Sequence, residues 1–135
     1  DLRGGPRVLA MSRWITDNLT YDGESSDGNT TAQDTFDARR GVCRDYAHLL
    51  IAMCRSSAIP ARIASVYSPD VTPPDFHAVA EVYLNGGWHL IDPTGMTTPD
   101  RMIIAGVGRD AADVAFLTAF GAATLNEQTV SVVTC

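Results

Sequence analysis

Apolar side chains recur at helical spacing through the first part of the chain. Residues 6–19 are predicted to form a helix, because their apolar positions lie three to four residues apart. These positions are Val8, Met11, Trp14 and Ile15. A polar stretch over 21–31 predicts a loop. A short helix is then expected over 31–39, capped by Thr30 or Thr31.

The most apolar helix is predicted over residues 43–58 and is ended by Pro60. One apolar stripe follows its length, formed by Cys43, Ala47, Leu50 and Cys54. Further apolar residues widen this stripe almost all round, namely Tyr46, Leu49, Ile51 and Met53. A helix that is apolar on most faces lies in the interior, so we expect this helix to be central and buried.

From residue 61 onward the pattern changes to that of β-strands. Strands are predicted over 61–67, 78–84 and 87–91, with a proline-rich loop over 68–75. Asn85-Gly86 joins the second and third strands as a two-residue type I′ hairpin turn.

Three more strands are predicted, over 102–107, 114–125 and 129–134. Helices followed by an antiparallel sheet indicate an α+β fold. The length of 135 residues indicates one domain, over 1–135.

Charge and apolar content exclude several classes of function. The chain has a net charge of -6, and a negative protein repels phosphate backbones, so nucleic acid is not an expected partner. All ten basic residues are Arg, and the absence of Lys excludes Schiff-base chemistry and a P-loop. The longest apolar run has six residues, Leu49 to Cys54, which predicts no membrane span.

Three cysteines, Cys43, Cys54 and Cys135, are an odd number for a disulfide framework. We expect free thiols, which favour a reducing compartment such as the cytoplasm. The compartment itself stays open.

The predicted hairpin brings together two candidate residues, His77 and Asp92. Neither residue indicates a site by itself. The two-residue turn pairs Leu84 with Gly87, which places Asp92 opposite Val79. Side chains alternate along a strand, so Asp92 shares a sheet face with Val79 and His77. Diagonal neighbours lie about 7–8 Å apart at the backbone, within reach of a carboxylate and an imidazole. Such a carboxylate fixes the tautomer of the ring and stabilises the imidazolium.

Cys43 supplies the third candidate group. It opens the buried helix after Arg40-Gly41-Val42. A helix N-terminus carries positive potential and free N–H donors, which favour a thiolate. The N–H of Cys43 could also donate to an oxyanion. Gly41 is expected to leave space where a substrate backbone approaches.

The chain resembles the bacterial branch of the transglutaminase-like superfamily. The resemblance rests on four segments, Arg40–His48, Ile59–Arg62, His77–Tyr83 and Gly87–Thr94, together with Cys54-Arg55. Further matches lie at 107–110 and 113–114, so the resemblance extends from about Trp14 to the C-terminus.

The resemblance implies a papain-like fold with a Cys-His-Asp triad, which falls on Cys43, His77 and Asp92. No cofactor is expected, and the sequence has no C-x-x-C or H-x-x-x-H pattern that would predict a zinc site. Many bacterial relatives carry a β-rich domain before this core, so we expect a fragment that lacks such a domain of the same chain.

Two departures from the family pattern concern the walls of the site. Family members often carry Trp where Val79 stands, so the acyl site is expected to be poorly walled. The Trp that helps to bind the oxyanion in animal transglutaminases has no clear counterpart. Tyr21 and Gln33 are the two candidates to replace it.

Other reactive side chains are expected to be structural. His48 should point away from the Cys43 thiol, and His89 has the opposite strand parity to Asp92. Cys54 lies in the packed stripe of the helix. For Glu81, a contact with Arg62 and a role in the site are both open.

These features predict a cysteine-dependent acyl-transfer enzyme. It would cleave an amide of a peptide or protein through a thioester on Cys43, most simply as a peptidase or amidase. Three alternatives stay open: a transglutaminase, a peptide N-glycanase-like deglycosylase, and a non-catalytic binding module.

Overall fold

A computed structural model of the protein describes residues 2–135 and shows three helices and six strands. The helices are α1 (Gly4–Asn18), α2 (Ala32–Ala38) and α3 (Cys43–Ser56). The strands are β1 (Thr20–Tyr21), β2 (Arg40–Gly41), β3 (Ala61–Tyr67), β4 (His77–Leu84), β5 (Gly87–Ile91) and β6 (Ile103–Gly108). Short 3₁₀ turns cover Pro99–Arg101 and Ala111–Val114. The fold is α+β, as predicted.

The main sheet has four antiparallel strands in the order β5-β4-β3-β6. Helix α3 packs against β4 and β3, and α1 and α2 pack against α3. The apolar stripe of α3 is buried, with Ala47, Leu50 and Cys54 fully excluded from solvent. The helix is therefore central, because almost every face of it meets another element.

Local sequence explains where the site-forming elements begin. Thr31 caps α2, since its hydroxyl accepts from the Asp34 N–H while the Asp34 carboxylate accepts from the Thr31 N–H. The β4–β5 turn has positive φ at both Asn85 (51°) and Gly86 (82°), as a type I′ turn requires.

The strands predicted over 114–125 and 129–134 are wrong. The structure has the 3₁₀ turn Ala111–Val114 there, followed by irregular chain. Leu117 is 62% exposed and Phe120 is fully exposed, so these apolar residues have no buried face to pack on. Residues with high strand propensity therefore form no strand here, because strand propensity depends on packing against neighbouring elements.

A two-stranded parallel pair, β1 with β2, was absent from the sequence prediction. It pairs Thr20 with Arg40 and Tyr21 with Gly41. Each of these strands has only two residues, which is too short to show a periodic pattern in the sequence. The pair nevertheless brings Tyr21 to the start of α3, where the candidate nucleophile lies.

Candidate active site

Cys43 is the first residue of α3 and is half-buried. The helix start is fixed by Asp45, whose Oδ2 accepts from the Val42 N–H at 2.8 Å. Gly41 packs directly on this carboxylate, because a Cβ at Gly41 would lie 2.7 Å from the Asp45 Cβ. The reason for glycine at this position is thus internal packing rather than the approach of a substrate backbone.

His77 and Asp92 meet as the hairpin register requires. The β4–β5 ladder runs from Leu84–Gly87 to Ala80–Ile91, and His77 begins β4 while Asp92 directly follows β5. His77 Nε2 lies 2.9 Å from Asp92 Oδ2, and both side chains are almost fully excluded from solvent. Because Asp92 engages Nε2, the ring nitrogen left for the Cys43 thiol is Nδ1.

The Cys43 thiol and the His77 ring line the same cavity, and each shifts the pKa of the other. Burial acts to raise the pKa of Cys43, but hydrogen bonds from His77 and from the Ala78 N–H outweigh it, so the pKa is lowered. Burial acts to lower the pKa of His77, but hydrogen bonds to Asp92 and Cys43 raise it to about 9. These opposite shifts favour a thiolate–imidazolium pair.

Two threonines hold the Asp92 carboxylate. Its Oδ1 accepts from the Thr94 N–H at 3.0 Å and from the Thr94 hydroxyl at 2.7 Å, and its Oδ2 accepts from the Thr97 N–H at 3.1 Å. Burial acts to raise the pKa of Asp92, yet the hydrogen bonds from His77 and Thr94 keep it lowered. The carboxylate therefore stays charged and oriented beside the imidazole.

Tyr21 is in direct contact with Cys43. Its hydroxyl oxygen accepts from the Cys43 N–H at 3.3 Å. Burial, and then the charge of the thiolate, raise the pKa of Tyr21 to about 12, so the phenol keeps its proton. A neutral hydroxyl next to the nucleophile is suited to donate a hydrogen bond.

The structure places Gln33 elsewhere. This residue lies on the exposed face of α2, and its Nε2 donates to Asp37 Oδ1 at 3.0 Å. Of the two oxyanion candidates, Tyr21 is therefore the one that contacts Cys43.

The remaining reactive side chains have structural contacts. His48 Nε2 accepts from the Ala111 N–H at 3.2 Å, and Glu81 accepts from Arg62 Nε at 2.7 Å. His89 Nε2 lies 3.1 Å from the Leu84 carbonyl. Burial raises the pKa of Cys54 to about 11, which makes that thiol unreactive at neutral pH.

A cavity of about 280 Å³ opens beside Cys43 and His77. Phe76 lines one side of it, and Val114 and Phe116 from the C-terminal segment line another. Aromatic rings therefore line this side of the site, and they come from Phe76 before β4 and Phe116 after β6 rather than from position 79.

Sequence reasoning missed the hydrogen bonds from Thr94 and Thr97 to Asp92, the Ala78 N–H and the wall over residues 111–116. Asp92-Pro93-Thr94 carries a local signal, since an Asp that accepts from the backbone two residues later forms an Asx turn. The Ala78 N–H and the wall over 111–116 carry no such signal, because tertiary contacts alone bring them to Cys43.

No helix within residues 2–135 combines the length and apolar character that a bilayer span requires.

Comparison with known proteins places the chain in a family. Residues 4–93 match the family model for the transglutaminase-like superfamily. A Cytophaga hutchinsonii crystal structure, of a protein proposed to be a cysteine protease, superposes with a TM-score of 0.83 and 44% identity, over 86% of this chain and 40% of that one.

Two curated relatives are similar to parts of the chain. An uncharacterized Mycobacterium leprae protein is 33% identical over 80% of this chain and 42% of its own length. A protein-glutamine gamma-glutamyltransferase of Pseudomonas aeruginosa is 32% identical over 50% of this chain and 12% of its own length. The chain thus spans about two fifths of the first of these relatives and less of the second. With a family match that covers most of the chain, the protein belongs to the transglutaminase-like superfamily.

Proposed function

We propose that the protein is a cysteine-dependent enzyme that hydrolyses an amide bond of a peptide or protein. The observation that carries this proposal is the position of the His77 ring between the Asp92 carboxylate and the Cys43 thiol. This order of nucleophile, base and orienting carboxylate is the arrangement that activates a weak nucleophile.

The reaction proceeds in two steps. The Cys43 thiolate attacks the amide carbonyl, and the imidazolium of His77 protonates the leaving amine as the C–N bond breaks. A thioester remains on Cys43. Water then attacks the thioester and gives a proton to His77, which releases the carboxylic acid and restores the thiolate–imidazolium pair. Asp92 keeps the ring oriented in both steps.

Tyr21 and the Cys43 N–H are the proposed oxyanion donors. The N–H now donates to the Tyr21 hydroxyl. A carbonyl oxygen that enters between these groups would accept from both of them as negative charge develops on it. The position of both groups next to the Cys43 thiol supports this role.

Water is the proposed acceptor, and a primary amine is the second candidate. The Cytophaga hutchinsonii neighbour, itself proposed to be a cysteine protease, is more similar to this chain than the glutamyltransferase relative is. That relative and the aromatic wall beside Cys43 favour an amine, because a transferase must protect its thioester from water.

The two acceptors are separated by one competition experiment. The protein is incubated with a glutamine-containing peptide substrate and excess primary amine, and the products are read by mass spectrometry. We expect mainly the free acid, and we expect none from Cys43→Ala, while the matched variant Cys54→Ala keeps activity. A product that carries the amine would replace hydrolysis with transfer. Equal turnover by Cys43→Ala would refute both.

A further inference from the structure

The cavity beside Cys43 continues into a second one, and together they form a cleft that leads away from the nucleophile. The second cavity has a volume of about 330 Å³. The two share five lining residues, Ser65, Phe76, Val114, Ala115 and Phe116. Each volume is of the size that holds a small ligand or a few side-chain atoms rather than a large polymer segment.

Apolar and aromatic groups form most of the lining beside Cys43, whereas polar groups form most of the lining of the second cavity. The Phe76 and Phe116 rings stack with centroids 4.9 Å apart and planes 13° apart. Phe76 also contacts Tyr67, with centroids 5.4 Å apart. The fully buried Ile63 closes the end near Cys43. Phe116 is 55% exposed, so much of its ring is free to contact a ligand.

Charged groups along the cleft are already paired. Arg44 lines the cavity at Cys43, but its guanidinium donates to Ser26 Oγ at 2.6 Å and to the Asp27 carbonyl at 2.8 Å. Asp113, in the second cavity, accepts from Arg109 Nε at 3.0 Å. A charged substrate side chain would therefore lose hydration without gaining a free partner.

The wall over 111–116 is held in place by two contacts to α3. The Ala111 N–H donates to His48 Nε2 at 3.2 Å, and Arg55 donates to the Arg109 carbonyl at 3.0 Å. The cleft is therefore formed before a substrate arrives, which lowers the entropic cost of binding.

We propose that the part of this cleft beside Cys43 receives an apolar side chain on the acyl side of the substrate, aliphatic or aromatic, against Phe76 and Phe116. This inference rests on the proposed function, since it assigns the group attached to the carbonyl that Cys43 attacks. Amides with an apolar acyl residue are then the preferred substrates, and amides with Glu or Arg at that position are poor ones.

The inference can be tested without turnover. N-acetyl phenylalanyl, leucyl, glutamyl and arginyl chloromethyl ketones place each side chain next to the carbonyl, and the thiolate displaces chloride. The rate of Cys43 modification is followed by mass spectrometry with peptide mapping. We expect the two apolar reagents to react about tenfold faster than the charged ones.

Variants then locate the preference. Phe116→Ala should lower the rate with the phenylalanyl reagent about tenfold. Iodoacetamide, which has no side chain to place, should react with this variant at an unchanged rate. Leu117→Ala is the control, because Leu117 is similarly exposed, at 62%, but does not line the cleft.

The outcomes separate the two proposals. Equal rates for all four reagents, or an apolar preference that Phe116→Ala leaves intact, would overturn the assignment of the cleft. An apolar preference together with a complete lack of amide cleavage would overturn the hydrolase proposal and keep the cleft.

Discussion

The His77 ring has a different neighbour at each of its nitrogens. Asp92 lies at Nε2, and the Cys43 thiol faces the other nitrogen, Nδ1. Both neighbours stabilise the protonated ring, and the protonated ring in turn stabilises the thiolate. Titration of one group therefore changes the other, and the pH dependence belongs to the pair.

The first prediction concerns pH. The pKa of Cys43 is lowered and that of His77 is raised to about 9, so the reactive pair exists between the two values. kcat/KM should rise as Cys43 loses its proton and fall near pH 9 as His77 loses its own. Initial rates from pH 4 to 10 test this. A single rising limb at the pKa of an ordinary thiol, about 8.5, would contradict it.

The second prediction concerns Asp92. Asp92→Asn removes the charge that raises the pKa of His77, so the falling limb of the pH profile should move to lower pH. The amide also orients the ring poorly, and kcat should fall roughly 10²- to 10⁴-fold. Asp34→Asn makes the same chemical change at the cap of α2 and should leave the profile unchanged. Identical profiles for both variants would remove Asp92 from the mechanism.

The third prediction concerns the Tyr21 hydroxyl. Tyr21→Phe keeps the ring beside Tyr46 and deletes the proposed oxyanion donor, so kcat should fall about 10²-fold with little change in KM. Tyr83→Phe is the control, because Tyr83 packs on Trp88 at the far end of β4. A loss confined to KM would indicate that Tyr21 binds substrate and does not stabilise the oxyanion.

Elements differ in how well their sequences predict them. The β4–β5 hairpin was predicted with its register, because Asn85-Gly86 strongly favours a two-residue type I′ turn and strand parity follows from that turn. The strand predictions near the end of the chain were wrong, because apolar residues near Phe120 have strand propensity but pack on no buried surface. The β1–β2 pair is too short to leave a pattern at all.

The fourth prediction concerns the junction of β2 and α3. Gly41→Ala would place a Cβ 2.7 Å from the Asp45 Cβ and 2.8 Å from its Oδ2, so the carboxylate that starts α3 must shift. We expect a loss of about 1–3 kcal/mol in the free energy of unfolding.

Gly87→Ala is the matched control for this change. Its added Cβ would meet only His89 Nε2, at 3.9 Å, which is ordinary contact. Thermal unfolding of the two variants and the parent protein makes the comparison. Equal midpoints for Gly41→Ala and Gly87→Ala would show that the packing at Gly41 is dispensable.

At the scale of the whole molecule, α3 runs from the protein surface into the core. Cys43 begins the helix at a half-open cleft, whereas Cys54, near its other end, is fully buried among the core residues. The places of Cys43, His77 and Asp92 in the fold were predictable, because each lies in or next to an element with a clear local pattern. The cleft wall was not, since it depends on where the chain after β6 returns to α3.

The fifth prediction uses these two thiols as reporters. Cys43 should be alkylated in the native protein, while Cys54 should react only after the core opens, since burial raises its pKa to about 11. Pulsed alkylation across a urea series, read by peptide mapping, should show Cys54 labelling that coincides with the loss of helical circular dichroism. Labelling of Cys54 well before that transition would mean that α3 separates locally from the sheet.

The Asn85-Gly86 turn lies seven positions before Asp92, on the surface, and touches neither the thiol nor the cleft. Its length nevertheless decides which side of the sheet the carboxylate faces. One inserted residue that shifts the β4–β5 register would turn Asp92 to the opposite face and leave His77 without its carboxylate, unless a three-residue turn with a bulge absorbs the extra residue. Residues at this turn can therefore be exchanged, or added in pairs, without turning Asp92 to the other face, whereas one added residue keeps that face only where such a bulge forms.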